Sequence, residues 1–257
     1  MIRWPRCVAK ALLRSAGFEL VRTHLGYKAV LLPCAGEGLS VLDLAVHSKL
    51  ASEKDFFFVQ IGANDGVRAD PLRPLVLKYH LRGLLVEPLP DMFVKLTENY
   101  ATEAQLQFEN AAIAKQNREA SLFRFRIDAP IRDCDHGVAT FNEEQIRRRA
   151  RERRVSEEYV ERVSVPCLTY DDLIAKHGIK STTLLQIDTE GYDFEVLKMA
   201  LSSRVLPDII NYEFVHLSLG DRLASCQLLA EHNYSLFHSS FDTLALHNAE
   251  SEFTDAV

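Results

Sequence analysis

The stretch 56-FFFVQIGANDG-66, followed by 83-GLLVEPLP-90, decides how the rest of the chain is read. Phe56, Phe57, Phe58, Val59 and Ile61 form a nearly continuous apolar run, as expected of a strand buried on both faces of a parallel sheet. The run ends in Gly62-Ala63-Asn64-Asp65-Gly66, where the glycines permit a tight turn and a close approach of backbone to a ligand. A second run, Leu84-Leu85-Val86, ends at Glu87, which puts a carboxylate at the carboxyl end of the neighbouring strand. Open α/β sheets bind ligands at that edge, and an acid there can hold a ribose diol. The two segments together point to a nucleoside-bearing cofactor.

That cofactor is not expected to be a dinucleotide. The dinucleotide fingerprint is G-x-G-x-x-G, whose middle glycine lets backbone approach a pyrophosphate. Here Asn64 stands at the second glycine and Val67 at the third, so a diphosphate would lose its close contact. A nucleoside without phosphate, such as S-adenosylmethionine, does not need it.

Outward from this centre, strands alternate with helices. Asp70-Pro71 predicts a helix start, with the helix running through Leu75, Val76 and Tyr79 to Gly83. A helix over 89–100 follows, then strands over 105–114 and 120–127. Residues 128–163 interrupt the pattern with a loop carrying Asp133, Asp135, His136 and Gly137 and a highly charged helix over 143–163. Strands at 163–168, 183–188 and 208–215 then alternate with helices at 170–178, 192–200 and 219–232. The segments 234–239 and 242–247 are close enough to pair as an antiparallel hairpin. The expectation is an α/β fold: a mostly parallel seven-stranded sheet with an antiparallel C-terminal hairpin and helices on both faces. Residues 1–50 read as a mostly helical extension, with Ser40 as an N-cap, and 51–257 as one domain with the charged insertion at about 128–163.

Composition narrows the class. With 257 residues, 47% hydrophobic and 26% charged, the chain can bury a sizeable core. A net charge of -6 argues against a nucleic-acid binder. Cys7, Cys34, Cys134, Cys167 and Cys226 are scattered and never in C-x-x-C, which suits reduced thiols in a cytoplasmic protein and gives them no metal role. Arg3, Arg6, Lys10 and Arg14 share one face of a helical pattern at the N-terminus. Such a helix can make peripheral contact with an anionic membrane surface or pack on the domain with its charges in water, and the second reading is preferred.

Several motifs in order carry a more specific resemblance: 60-QIGANDG-66, 83-GLLVEPLP-90, 109-ENAAI-113, 166-PCLTYDDLI-174, 184-LLQIDTEGYDFEVLK-198 and 210-INYEFVHL-217. Together they resemble the FkbM family of S-adenosylmethionine-dependent methyltransferases over roughly residues 55–217. The resemblance implies a Rossmann-like class I methyltransferase fold and O-methylation of a hydroxyl on a small molecule, a glycan or a lipid-linked glycan. It implies that Gly62, Ala63, Asn64 and Gly66 wrap the methionine moiety, with Asp65 near its ammonium. By the same resemblance Glu87 holds the ribose, beside Pro88, and Asn110 and Ala111 lie near the adenine. Asp188 is expected to face the cofactor's amino group or the acceptor.

Methyl transfer to an alcohol needs the donor and acceptor held in line and a base for the hydroxyl proton. Asp188, Glu190, Glu213 and His216 end adjacent predicted strands and are the catalytic candidates. They can act as proton acceptors, with His216 in the right range, or chelate a divalent cation that acidifies the hydroxyl; the residues leave both open. The same four would also suit a metal-dependent hydrolase, and a non-catalytic scaffold is a third reading. The arginines of the insertion, among them Arg148 and Arg149, read either as a solvated mixed-charge helix or as a lid that recruits an anionic acceptor.

Overall fold

The computed structural model describes residues 18–23, 26–31, 40–52, 55–132, 135–239 and 241–248, the first two stretches as backbone only. The chain divides into two compact units, Met1–Ser48 and Lys49–Val257. In the first, β1 (Phe18–Thr23) pairs antiparallel with β2 (Gly26–Leu31). A hairpin therefore stands where helix was expected. Aromatic and β-branched residues such as Phe18, Val21, Thr23, Tyr27 and Val30 favour a strand, and this preference outweighs the weak helical periodicity. The basic helix expected over residues 1–16, and with it the membrane contact, lies outside the described residues. Ser40 does cap α1 (Val41–Ser52), accepting the Asp43 amide at 3.0 Å.

The second unit is built on seven strands: β3 (Phe57–Ile61), β4 (Arg82–Val86), β5 (Leu106–Glu109), β10 (Leu184–Ile187), β11 (Ile209–Glu213), β12 (Tyr234–His238) and β13 (Asp242–His247). Their spatial order is β12-β13-β11-β10-β3-β4-β5, parallel throughout except for β13. This is the strand order of a class I methyltransferase, with a C-terminal antiparallel hairpin. Val59 and Ile61 form one core with Leu173 of α5 (Tyr170–Lys176), Val196 and Leu197 of α6 (Asp193–Leu201) and Leu229 of α7 (Leu219–Glu231). Phe58 and Leu85, one residue out of step, are as fully buried, so the sheet is covered on both faces. That double burial is why these strands read as nearly continuous apolar runs.

Between β4 and β5 runs α3 (Pro90–Asn99), and between β3 and β4 runs α2 (Arg73–Tyr79). The latter starts later than the Asp70-Pro71 signal suggested. Asp70 instead accepts the Leu72 and Arg73 amides at 2.8 and 3.3 Å, and Pro74 occupies the first turn.

The region between β5 and β10 holds a second sheet that the alternation did not reveal. Its order is β6-β9-β7-β8, from β6 (Ala112–Ile113), β7 (Arg118–Phe125), β8 (Ala139–Thr140) and β9 (Val160–Leu168). The strand expected at 105–114 is thus split between two sheets, and the one expected at 163–168 belongs to the small sheet. The charged helix is also shorter than expected. The helix α4 (Glu143–Arg153) ends at Arg154 in a left-handed conformation, a 3₁₀ turn spans Glu157–Tyr159, and the chain is a strand from Val160.

The chain reverses its winding direction between β3 and β10, and there the two strand ends meet at van der Waals limits. The Asp188 amide donates to the Ile61 carbonyl at 2.9 Å, and Gly62 follows with φ +84°. A Cβ on Gly62 would lie 1.7 Å from the Asp188 carbonyl oxygen. Only glycine satisfies both the backbone angle and the space. Gly62→Ala is expected to lose roughly 3 kcal/mol or more of stability, combining left-handed strain with overpacking against backbone. Urea unfolding of the variant beside the wild-type protein measures it.

Candidate active site

A cavity of about 510 Å³ opens above the junction of β3 and β10. This size suits a small ligand or cofactor. Gly62, Ala63 and Asn64 form one wall, Glu87 and Pro88 the next, and Ala111, Ile113 and Leu122 an apolar side. Asp188, Thr189, Glu190 and Tyr192 close the other end, and Gly137, Val138 and Phe141 of the insertion lie over the top. Of the residues expected to touch a cofactor, Asp65, Gly66 and Asn110 are not in the walls. Asp65 turns its carboxylate into its own loop, accepting the Val67 and Arg68 amides at 3.0 and 2.9 Å and pairing with Arg68 at 3.2 Å. Gly66 packs under the loop against Tyr100. Asn110 donates to the Glu87 and Pro88 carbonyls at 2.8 and 3.1 Å, so it shapes the wall from behind.

Glu87 is 3% exposed and accepts two backbone amides, Asn64 at 2.8 Å and Leu89 at 2.9 Å. Burial raises its carboxyl to about 7, against the lowering effect of those hydrogen bonds. The carboxylate thus ties the Gly62–Gly66 turn to the end of β4 while facing the cavity. Two glutamines that the motif reading passed over share this floor. Gln60 and Gln186 sit in register on β3 and β10, and Asn211 of β11 extends the row by donating to Gln186 Oε1 at 2.9 Å. Gln60 Oε1 and Thr189 Oγ1, both in cavity-lining residues, are buried without a hydrogen-bond partner. A polar residue at the same place in two otherwise apolar strands was the available sequence signal, since burying an amide is costly unless it serves a ligand or a network.

At the end of β10, Asp193 holds the turn that follows. It is fully buried and accepts the Thr189 and Gly191 amides, both at 3.1 Å, while burial raises its carboxyl to about 6. The turn places two successive residues in left-handed backbone, Glu190 at φ +52° and Gly191 at φ +99°. Strain of this kind in a non-glycine residue is commonly found at functional sites. It directs Glu190 to His216, whose Nε2 lies 3.2 Å from Glu190 Oε2 and 3.5 Å from Glu213 Oε2. Three of the four predicted residues therefore meet. Asp188, with no hydrogen-bond or ion-pair partner among the described residues, presents its carboxyl to the cavity.

The cluster is crowded with acids. Asp188 is open to solvent within the cavity, but the enclosing walls and the neighbouring Glu213, Glu190, Asp193 and Asp242 still raise its carboxyl above the usual carboxylate range. Burial and the same kind of repulsion push Glu213 to about 8. Glu190, Glu213 and His216 offer ligand atoms within 4.8 Å of one another, a donor set that suits a divalent cation. Arg149 of α4 is already there: its Nη2 stands 3.2 Å from Glu190 Oε2 and 3.3 Å from His216 Nε2. The remaining arginines of α4 are engaged within the chain: Arg147 with Glu143 and Glu157, Arg148 with Glu152, Arg151 with Glu144 and Glu157, and Arg153 with Asp135. Both sequence readings of this helix are therefore incomplete, because one face is docked on the site.

Residues 60–238 match the family described as the methyltransferase FkbM domain. Among solved structures the chain is similar to a precorrin-6y C5,15-methyltransferase from Geobacter metallireducens, at 11% identity and TM-score 0.41 over 83% of this chain and 93% of that one. It is also similar to a human methyltransferase 10 domain containing protein, at 11% identity and TM-score 0.40 over 94% of each chain. No curated protein matches the chain. No helix among the described residues is long and apolar enough to cross a membrane.

An uncharged residue at 188 relieves the acid cluster. A raised folded-state carboxyl adds stability below its unfolded value and loses it as pH rises through the folded one. Asp188→Asn is therefore expected to raise the thermal midpoint at pH 8, with the gain shrinking to nothing near pH 4; calorimetric scans across that range check it.

Proposed function

Given that the chain belongs to the FkbM methyltransferase family, we propose that it transfers a methyl group from S-adenosylmethionine to a hydroxyl on a small molecule or glycan. The observation that carries this reading is the polarity of the cavity. Glu87 faces it beside the Gly62–Gly66 turn and suits a ribose diol, while Ala111, Ile113, Leu122 and Val138 offer an apolar slot for adenine. At the other end Asp188 and the unpartnered Gln60 Oε1 and Thr189 Oγ1 are acceptors, which suits a positively charged amino-acid tail. When bound, the cofactor supplies an electrophilic methyl whose bonding pair returns to sulfur as the hydroxyl oxygen forms the new bond.

The protein's own part is positioning and proton transfer. The proton released from the hydroxyl has to be accepted, and His216 Nε2, flanked by Glu190 and Glu213, is the group suited to take it near neutral pH. Tyr192 and Phe141, with ring centroids 4.8 Å apart, offer a flat apolar surface at this end, which suits the face of a sugar or another ring. Family membership favours this reading over the hydrolase that the same four residues would otherwise suit. The localisation is proposed to be cytoplasmic, in keeping with the free Cys167 and Cys226.

A second reading keeps the same reaction but adds a divalent cation at Glu190, Glu213 and His216. The Arg149 guanidinium already supplies a positive charge between two of those ligands, so a cation-independent site is preferred. Exhaustive dialysis against EDTA is expected to leave methyl transfer unchanged, and activity restored only by added magnesium or manganese would replace this reading with the cation one.

The first experiment is calorimetric titration with S-adenosylhomocysteine. Micromolar binding is expected, weakening about tenfold or more in Glu87→Ala, the scale of one lost charge-assisted hydrogen bond. Ribose hydroxyls are best accepted by the ionised carboxylate, whose free-state value is about 7. Affinity should therefore rise between pH 6 and 8 by up to about tenfold per unit below that value, and Glu87→Gln should flatten the dependence. Absence of binding at every pH would remove the methyltransferase proposal.

A further inference from the structure

Arg68, Ala69, Asp70 and Pro71 continue the Gly62–Gly66 turn along the cavity wall. Among the described residues of that wall Arg68 is the one cation, against the carboxyls of Asp70, Glu87, Asp188 and Glu190. Its place is fixed from several sides. The Arg68 amide donates to Asp65 Oδ1 at 2.9 Å and its Nε stands 3.2 Å from Asp65 Oδ2, so Asp65 holds the residue by backbone and side chain together. Asn99 donates to the Asp65 carbonyl at 2.9 Å and Arg73 to the Gly66 carbonyl at 3.0 Å, which pins the loop from behind. Gln60 Nε2 donates to Asp70 Oδ1 at 3.1 Å, so the segment just beyond Arg68 rests on the floor where Gln60 Oε1 is unpartnered. Ala69, between Arg68 and Asp70, is in left-handed backbone at φ +50°, a strained conformation of the kind that collects at binding sites.

We infer that Arg68 is the carboxylate receptor of this cavity: its guanidinium, held in the wall by Asp65, binds the α-carboxylate of the cofactor's amino-acid tail. This rests on the function proposed above and accounts for the tail's second charge. The tail carries an ammonium and a carboxylate on one carbon. Gln60 Oε1, Thr189 Oγ1 and Asp188 are acceptors and suit the ammonium. A carboxylate brought among four acids is repelled and loses its water, so it needs a cation within reach. Arg68 supplies that cation two residues before the Asp70 that Gln60 touches. A guanidinium carries five N–H donors in a planar fork, so contact of Nε with Asp65 is compatible with a two-bond grip on a carboxylate by the outer nitrogens. Asp65, which the motif places near the ammonium, faces Arg68 instead.

The test compares two ligands on the full chain by calorimetric titration: S-adenosylhomocysteine and its decarboxylated analogue, which keeps the adenosine, the thioether and the amine. An acid-lined wall without a carboxylate receptor would favour the analogue, whose net charge is more positive. With Arg68 as the receptor, the wild type should instead prefer S-adenosylhomocysteine by about tenfold or more, the scale of one charge-assisted pair. Arg68→Ala should bring the two affinities together or reverse their order, with the loss falling on S-adenosylhomocysteine. If Arg68→Ala does not fold, Arg68→Gln takes its place with the same expectation. The wild-type comparison needs no variant: indifference to the carboxylate, or preference for the analogue, overturns the inference. In the variant an unchanged preference overturns it too, whether both affinities fall together, as a misshapen loop would give, or neither does. A wild type that binds neither ligand overturns the inference together with the methyltransferase proposal. Binding of both without preference overturns the inference alone.

Discussion

Everything in the site depends on how closely the ends of β3 and β10 approach. Ile61 and Ile187 are paired in register, and the next residues, Gly62 and Asp188, touch backbone to backbone. No side chain fits at position 62, so the turn that follows β3 is forced upward past β10 instead of across it. That creates the crevice where the winding of the sheet reverses, the place where open α/β sheets bind ligands. Glu87 then secures the turn from the other side by accepting the Asn64 amide, and the same carboxylate is left facing the cavity. One acid therefore both braces the loop and lines the cavity.

The second half of the site is an electrostatic compromise. Asp188, Glu190, Asp193, Glu213 and Asp242 lie close enough to repel one another, which pushes Asp188 and Glu213 toward the protonated form, and Glu190 and Glu213 also meet His216. Such a cluster would be costly without compensation. Part of the compensation is local, since Asp193 satisfies the Thr189 and Gly191 amides. The rest comes from a distant segment: Arg149 supplies the cation and Gln145 holds the strained Glu190 carbonyl. The region from β6 to α4 looks like an insertion in chain order, yet Ala112, Ile113, Leu122 and Gly137 to Phe141 line the cavity, and α4 docks beside it through Gln145 and Arg149.

The legible parts of the site were those built from contiguous residues. A strand, a glycine turn and a terminal acid are neighbours in sequence, so Gly62, Ala63, Asn64, Glu87, Pro88, Ala111 and Asp188 were named from motifs and all line the cavity. Glu190, Glu213 and His216 were also found, because residues that end adjacent parallel strands share an edge. Asp65 and Asn110 were identified by the same logic but face away, since motif membership does not say which way a side chain turns. The hairpin at Phe18–Leu31 and the second sheet were missed for a different reason. Short strands such as Ala112–Ile113 and Ala139–Thr140 are two residues long and have no period to detect.

The sequence by itself pointed to a doubly covered parallel sheet, because short, nearly continuous apolar runs such as Phe56–Ile61 and Leu184–Ile187, broken only by Gln60 and Gln186, alternate with helical segments along the chain. It also determined the family, through motifs whose order along the chain is specific. Only the tertiary structure decided what the charged segment does. A helix of mixed arginine and glutamate has the same local pattern whether it is bathed in water or docked; Arg148 pairs along the helix with Glu152, while Arg149 reaches across to the site. Its partners, Glu190 and His216, lie 41 and 67 residues away. A contact of that range is set by packing of the whole fold, and no period within α4 encodes it.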